Sequence, residues 1–214
     1  MKRKQAKQQK LKIEEGLEKA IRYAPKGVVL DIGAGEGRNS IFLAKSGFKV
    51  QAIDIDAKSL EKCKRFAKNH NLPIITSVAD VRKFKFGKEK YSLVISINTL
   101  DFLRLKDTKK LITKVGYSLV PGGVFYLYGF SVKDSLLEIA KRKHLKEPEK
   151  NTFYFPKMRT PRHFFEKKEL FNLCKNFEII KLEEKKIIHT HMGSEKPHRH
   201  WIIRVIAKKE RSVS

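Results

Sequence analysis

The sequence predicts a single doubly wound α/β domain, and three observations lead to this prediction. Residues 28–32 form a short aliphatic run, which is typical of a strand covered on both faces. Glycines follow at positions 33, 35 and 37, and residues 38–46 then have helical periodicity. Further short apolar runs alternate with helical segments along the 214 residues, as in a parallel sheet with helices on both faces.

The glycine turn after residue 32 predicts a site where a ligand lies directly on the backbone. Glycine adopts positive φ at little cost and carries no Cβ atom that would hold a ligand away. A dinucleotide site requires the pattern G-x-G-x-x-G, whose sixth position is Arg38 here. Asp31 precedes the first glycine by two residues. A carboxylate there repels a diphosphate and favours S-adenosylmethionine, which presents an amino group and a cationic sulfonium.

With these residues the chain resembles the class I S-adenosylmethionine-dependent methyltransferases, whose first motif is an acidic residue followed by x-G-x-G-x-G. Residues 31–37 match that motif. The resemblance implies a ribose contact from Asp54 at the end of the next strand, with Asp56 the less favoured choice, and an adenine contact near Asp80. It implies the following cofactor-binding residues: Asp31, Gly33, Ala34, Gly35, Asn39, Asp54, Ile55, Asp80, Val81 and Asn98.

Each of these positions also has a purely structural interpretation. The three glycines could form an ordinary strand-to-helix turn, although three in five positions cost backbone entropy without a gain in packing. Asp54 could begin a turn or cap the next helix, and Asp80 could likewise cap a turn or helix. The Pro-Gly-Gly sequence at residues 121–123 is a turn under either interpretation.

The resemblance implies a Rossmann-like methyltransferase fold, with a seven-stranded sheet in the order 3-2-1-4-5-7-6 and an antiparallel strand 7. The turn between strands 6 and 7 would then lie over the carboxyl edge of the sheet, where ligands bind in open α/β folds. The last strand is apolar on both faces except for Arg204. The strands are predicted at residues 28–32, 49–53, 73–78, 91–97, 124–128, 177–182 and 201–207.

The predicted turn between the last two strands is rich in histidine, with His189 and His191 before it and His198 and His200 after it. Residues two apart share a face of a strand, so a hairpin here gathers several imidazoles. They could act as a general base or position the acceptor, hold a divalent ion such as zinc, or be surface residues. The first interpretation, without a metal, is favoured because the resembling group carries histidine in this hairpin, and His189 matches best.

Within the superfamily, residues 37–44 are similar to the G-R-N-S-x-x-L-A segment of the tellurite-resistance and small-molecule methyltransferase group. This similarity implies methyl transfer by in-line displacement to a small nucleophile such as a thiol, a selenol or a metalloid oxyanion. The residues expected on the catalytic, acceptor side are Asn98, Asp101, Tyr128, His189 and His191.

We expect the chain to divide into a basic N-terminal part, residues 1–24, and one domain that the resemblance identifies as a methyltransferase domain, residues 25–210. The first part contains an amphipathic helix whose apolar positions are Leu11, Ile13, Leu17 and Ile21. Within the domain, residues 131–162 make a long connection that we expect to be a substrate lid. We predict a helix at 135–146 and irregular backbone at 151–156 and 160–161. The aromatic rings of this region could cover a substrate, pack on the sheet or stack on unpaired bases.

The formal net charge of +25 is more than a small-molecule enzyme requires. Residues 1–12 carry six cations and no acid, and residues 141–146 form a second basic run. Such an excess attracts RNA through counterion release. The alternative function is therefore an RNA-directed methyltransferase or an RNA-binding protein that uses these two segments. The residues after the fourth strand, Asn-Thr-Leu-Asp, lack the prolines typical of enzymes that methylate base amines, which disfavours that chemistry.

Cysteine use and hydropathy predict a cytoplasmic protein. Cys63 and Cys174 fall on separate predicted helices, which suggests a reducing compartment and no disulfide framework. Neither stands near the fourth or fifth strand end, where pyrimidine C5 methylation needs a thiol. No apolar run approaches the ~20 residues of a membrane span, and the basic start is not followed by a signal-peptide core. The sequence leaves the acceptor and the oligomeric state open.

Overall fold

The computed structural model describes residues 13–189 and 198–210, and these form a doubly wound α/β domain. The first half of the fold alternates strands and helices, in the order α1 (Glu15–Ala20), β1 (Val28–Ile32), α2 (Arg38–Lys45), β2 (Lys49–Asp54), α3 (Ala57–Asn69), β3 (Ile74–Val78), β4 (Tyr91–Ile97), a 3-10 turn (Leu100–Phe102), α4 (Leu105–Ser118) and β5 (Leu119–Phe130). The second half comprises α5 (Ser135–Arg142), β6 (Thr152–Phe155), β7 (Thr160–His163), α6 (Lys167–Leu173), β8 (Glu178–His189) and β9 (His198–Lys208).

The main sheet has seven strands in the order β3-β2-β1-β4-β5-β9-β8. Strands β1 to β5 are parallel, whereas β9 runs antiparallel to both of its neighbours. Because β6 and β7 pair only with each other, β8 and β9 are the sixth and seventh strands of this sheet. The predicted order and the predicted antiparallel strand are therefore confirmed.

Helices cover both faces of the sheet because the central strands are apolar on both sides. All seven residues of β4 are buried. Leu93 and Ile95 pack on the side of α1 and α2, while Val94 between them packs on the side of α4 and α6. This alternation follows from the two-residue period of a strand. Because β1, β2, β4 and β5 are parallel, their carboxyl ends lie at one edge of the sheet.

The last hairpin is longer than predicted, and it projects beyond the sheet edge. Phe130, the last residue of β5, pairs with Ile202, so β9 continues from Ile202 back to His198 past the end of β5. β8 accompanies it as far as His189. The two strands that lead to the turn extend past this edge, but residues 190–197 lie outside the described residues, so the position of the turn stays a prediction.

The prediction of irregular backbone at 151–156 and 160–161 is wrong, because these segments contain β6 and the start of β7, which pair with each other. Thr152 and Phe153 are buried, and Pro161 is accommodated because a two-stranded hairpin leaves free edges. The helix predicted at 135–146 ends earlier, at Arg142. Strand β5 begins at Leu119 and incorporates the predicted turn, where Gly122 has a φ of +77°.

Helix α1 is attached to the sheet by a network of charged and polar side chains. Arg204 is buried on β9, with its Nη1 2.5 Å from Glu14 Oε1 and its Nε donating to Glu183 at 2.7 Å. The Tyr126 hydroxyl donates to Glu14, which also caps the helix. Leu17 is fully buried, as the amphipathic pattern predicts. Leu11 lies outside the described residues.

Candidate functional site: the carboxyl edge of the sheet

The three glycines of the turn after β1 serve different purposes. Gly33 and Gly37 have φ values of +74° and +85°, and a Cβ atom on either would clash, with Thr99 and Cys63 respectively. Gly35 has a φ of +54°, but no atom lies within 4 Å of where its Cβ would stand. Two of the glycines are therefore required by packing inside the protein, and only Gly35 faces open space.

Asp54, at the end of β2, braces this turn. Its Oδ2 accepts a hydrogen bond from the Gly35 N–H at 2.8 Å, and its Oδ1 accepts one from the Asp56 N–H at 2.9 Å. The N–H groups of Gly33 and Ala34 both donate to the Ile53 carbonyl. The capping role considered for Asp54 belongs instead to Asp56, which is the N-cap of α3. Ile55 between them is 74% exposed, an unusual position for a large apolar side chain.

Asp31 lies beneath the turn and is buried. Its carboxylate accepts a hydrogen bond from Ser40 Oγ at 2.6 Å, and burial raises its pKa to about 6. The nearby charge of Asp54 raises the pKa further, while Arg38 lowers it. Asn39, at the start of α2, is also buried, and its Oδ1 accepts no hydrogen bond. Asp31 and Asn39 thus offer oxygen acceptors suited to a ligand ammonium group.

The Asp80 side chain is engaged locally. It accepts hydrogen bonds from the backbone N–H and the guanidinium of Arg82, and this partner lowers its pKa to about 2. Asp80 therefore has the turn-capping role that was its structural alternative. Val81, next in the chain, is buried in the core on the α4 side of the sheet.

The acceptor-side residues come together where β4 and β5 end. Asn98 has a φ of +53° and an exposed side chain, and its N–H donates to the Tyr128 carbonyl at 2.8 Å. Tyr128 is 6% exposed, and burial raises the pKa of its hydroxyl. Thr99 follows Asn98 and packs against Gly33, so this edge touches the glycine turn.

Asp101, in the 3-10 turn after β4, is a buried acid. Burial raises its pKa to about 6, although the Arg162 charge opposes this shift. Arg162 Nε is 3.3 Å from Asp101 Oδ2, but neither carboxylate oxygen accepts a hydrogen bond. Sequence reasoning missed Arg162 because it lies in the β6–β7 hairpin, part of the segment that the sequence shows only as a long insertion.

Of the four histidines of the last hairpin, the structure describes the side chain of His200. Its Nδ1 is 3.0 Å from Asp134 Oδ2, and its ring meets the Phe130 ring edge-on at 5.2 Å. His189 and His198 are paired through their backbones, their side chains lie outside what the structure describes, and His191 lies outside the described residues. Within residues 13–189 and 198–210, no group of three or more His, Cys, Asp or Glu side chains could hold a metal.

The insertion at 131–162 has a small core of its own. Leu137 and Ala140 of α5 pack with Phe153 and Phe164. His163 bridges the hairpin to α6, with its Nδ1 2.7 Å from Thr152 Oγ1 and its Nε2 2.9 Å from Glu169. Phe153 is buried in this small core and not in the cores on the main sheet, whereas Tyr154 is 37% exposed. The lid function remains a prediction.

The two thiols are buried and unpaired. Burial raises the pKa of Cys63 to about 11 and that of Cys174 to about 12. No helix within the described part of the chain is long and apolar enough to cross a membrane. The cytoplasmic location remains a prediction.

Comparison with known proteins supports the resemblance. Residues 29–123 match the family model described as a methyltransferase domain. Ribosomal protein L11 methyltransferase of Campylobacter concisus is 31% identical over 131 residues, which cover 55% of this chain and 43% of the relative. The probable S-adenosyl-L-methionine-dependent methyltransferase TehB of Haemophilus influenzae is 29% identical over 99 residues, which cover 43% of this chain and 34% of the relative. The chain therefore spans less than half the length of these two curated relatives.

A solved structure is similar over nearly the whole chain. The S-adenosylmethionine-dependent methyltransferase from Methanosarcina mazei superposes with a TM-score of 0.76 at 21% identity, covering 94% of this chain and 99% of that one. This likeness establishes the fold. Together with the family match it confirms the predicted resemblance to class I methyltransferases, and S-adenosylmethionine is the cofactor of the relatives so named.

Proposed function

We propose that this chain is an S-adenosylmethionine-dependent methyltransferase that methylates a small-molecule nucleophile. The observation that carries this proposal is Gly35, whose missing side chain leaves open space beside a backbone that Asp54 holds in place. A cofactor can approach the backbone at this point as it cannot at Gly33 or Gly37. The match to the methyltransferase domain family supports the same assignment.

The residues around Gly35 fit this cofactor. Asp31 and the unpartnered Asn39 Oδ1 would accept hydrogen bonds from its amino group. Each Asp54 oxygen accepts one backbone hydrogen bond and has a second lone pair for a ribose hydroxyl. Ile55 would cover an apolar face of the cofactor and thereby lose its exposure. Asp80 is tied to Arg82, so its neighbours, rather than its carboxylate, would meet the adenine.

Methyl transfer requires the protein mainly to align the acceptor with the methyl group of the cofactor. The cofactor supplies a methyl group that its sulfonium already activates. The chain has to hold the acceptor in line with that group and keep water away. Asn98 and Tyr128 lie at the strand ends where an acceptor would sit. His189 ends β8, which extends past the same edge, and His191 follows it two residues later in the sequence. We propose that one of these histidines takes the acceptor's proton, since imidazole titrates near neutral pH.

Isothermal titration calorimetry of purified protein with S-adenosylmethionine and S-adenosylhomocysteine tests the cofactor site. Gly35→Ala should abolish binding of both, because the added methyl group occupies the space beside the turn. Gly47→Ala is the matched control. Gly47 also has a left-handed backbone, with φ +89°, and its Cβ would meet no atom closer than 3.6 Å. Both substitutions therefore carry a similar backbone cost, of about 1–2 kcal/mol.

Binding that is retained in Gly35→Ala, or lost equally in Gly47→Ala, would contradict the assignment. Asp54→Ala is expected to weaken binding as well, because the Gly35 amide loses its brace. With binding established, turnover of thiols, selenols and metalloid oxyanions, measured as S-adenosylhomocysteine release, identifies the acceptor class.

The alternative, an RNA-directed methyltransferase or RNA-binding protein, is favoured by one further observation. Exposed Tyr154 lines a cavity of about 330 Å³ together with Arg104 and Lys146, the last residue of the basic run at 141–146. An aromatic ring and two cations around one cavity suit an unpaired base and its phosphates. Removal of residues 1–12 and Tyr154→Ala should each weaken binding of a single-stranded RNA, with a reduced salt slope for the truncation, if this alternative holds.

A further inference from the structure

The guanidinium of Arg162 packs against two aromatic rings at the acceptor edge. Its Cζ is 4.6 Å from the centre of the Phe102 ring and 4.6 Å from the centre of the Phe130 ring. Phe102 belongs to the turn after β4 and Phe130 ends β5, so the guanidinium lies between the ends of these two strands. Two aromatic contacts restrict the movement of the guanidinium.

The hydrogen-bonding capacity of this guanidinium is unused. Arg162 is 11% exposed, and its Nε lies 3.3 Å from Asp101 without forming a hydrogen bond. None of the residues that the structure describes accepts a hydrogen bond from its other nitrogens. The Asp101 side chain behind it has no exposed surface at all. A ligand at this edge would therefore meet Arg162 and not Asp101.

We propose that Arg162 is the residue that binds the acceptor, that it selects an acceptor carrying an oxyanion group, and that Asp101 is a positioning residue behind it. This inference rests on the proposed function and narrows its substrate class. A guanidinium offers paired N–H donors in a plane, which match the oxygens of a carboxylate or of a phosphate-like oxyanion. A neutral thiol alone would leave these buried donors without a partner.

The net charge of the chain is consistent with such an acceptor. An excess of 25 positive charges raises the local concentration of small anions and speeds their encounter with the protein. Asp101 neutralises Arg162 only from the Nε side, so the outer N–H groups remain available. The buried pair thus presents a fixed fork instead of a mobile surface charge.

The experiment measures anion binding directly, with protein saturated with S-adenosylhomocysteine. Benzoate and selenite are the probes, and 2-mercaptoethanol is the neutral comparison. Calorimetry gives the affinities at constant ionic strength, and the ¹⁵Nε resonance of Arg162, assigned by its absence from Arg162→Gln, reports the contact. Arg162→Gln should weaken binding of an anionic probe at least tenfold, as for a lost charged hydrogen bond. Arg162→Lys keeps the charge but loses the fork, and should bind less tightly than the wild type.

Arg159→Gln is the matched control, because it removes one charge from the exposed turn of the same hairpin. It should change the affinity less than twofold. Equal weakening by Arg159→Gln and Arg162→Gln would overturn the proposal, since net charge alone would then explain binding. Absence of binding of both anions to the wild type would overturn it too. Binding of a single-stranded RNA that depends on Arg162, without binding of the small anions, would reassign this residue to a nucleic-acid phosphate.

Asp101→Asn separates positioning from electrostatics. If Asp101 orients Arg162, anion affinity should fall although a negative charge has been removed. A rise in affinity would show that Asp101 only opposes the anion. Binding of S-adenosylmethionine to each variant is measured in parallel. If the wild type fails to bind S-adenosylmethionine, the proposed function itself is refuted. If a variant binds S-adenosylmethionine but not the anions, the cofactor site is intact and the defect lies in the anion site of Arg162.

Discussion

Replacing Asp31 by asparagine should make the ligand-free protein more stable while it removes cofactor affinity. The pKa of the buried Asp31 carboxyl is about 6, against 3.8 for an ordinary aspartate. At about 1.4 kcal/mol per pKa unit, the ionised form costs the fold about 3 kcal/mol at pH values above 6. Asparagine keeps an oxygen for the Ser40 hydroxyl, but its amide N–H groups need a partner, at a cost of about 1–2 kcal/mol. The expected net gain at pH 7.5 is therefore about 1–2 kcal/mol.

The pH dependence has a definite sign. Because the folded state binds the Asp31 proton more tightly than the unfolded chain does, the wild type loses stability as the pH rises from about 4 to 6. Asp31→Asn lacks this loss. The advantage of the variant should thus grow by about 2 kcal/mol between pH 4.5 and pH 7.5.

Urea unfolding at pH 4.5, 6 and 7.5, followed by far-UV circular dichroism, measures these free energies. Asp56→Asn is the control, because Asp56 is an exposed helix cap that asparagine replaces well. The pKa of Asp56 is lowered, so its variant should show no gain that grows with pH. A difference between Asp31→Asn and the wild type that stays constant with pH would refute the reasoning, as would undiminished cofactor affinity.

Two predictions concern other buried groups. Arg204→Met should cost about 3 kcal/mol of unfolding free energy, because Glu14 and Glu183 lose their shared cation. Arg204→Lys keeps the charge and should cost less. If urea unfolding shows no loss of stability in the methionine variant, the structural role of Arg204 is contradicted. Cys63 and Cys174 should react with a thiol reagent such as Ellman's reagent far more slowly in the native protein than in urea, since both are buried and burial raises their pKa to about 11 and 12. Rapid labelling of either thiol without denaturant would contradict its burial.

The central strands could be predicted because β1 and β4 are short, mainly apolar runs, whereas the strand order and the antiparallel strand came from the family resemblance. The glycine turn was also predictable, since three glycines in five positions allow the positive φ values that Gly33, Gly35 and Gly37 adopt. The different roles of these glycines could not be predicted, because Thr99 and Cys63 are far from Gly33 and Gly37 in the chain and contact them only in the folded structure. The engagement of Asp80 with Arg82 likewise depends on the conformation of a turn.

The acceptor side was harder to predict for the same reason. Asp101 could be chosen from its place after β4, but its burial and its partner could not. Arg162 is one of many cations in the chain, and only the pairing of β6 with β7 brings it against Phe102 and Phe130. The β6–β7 hairpin combines a proline with aromatic residues, a composition that does not distinguish a loop from a short two-stranded sheet.

The packing of Thr99 on Gly33 and of Cys63 on Gly37 has a kinetic and entropic consequence. The turn is fixed from two sides by protein atoms, so its five residues are ordered before any ligand arrives. Ordering a residue costs about 1–2 kcal/mol in conformational entropy, so a turn ordered only on binding would forfeit about 5–10 kcal/mol of cofactor affinity. Here that cost falls on folding. Association should therefore be a single step without a slow conformational phase, and substitutions that loosen Thr99 or Cys63 should weaken cofactor binding without touching the ligand.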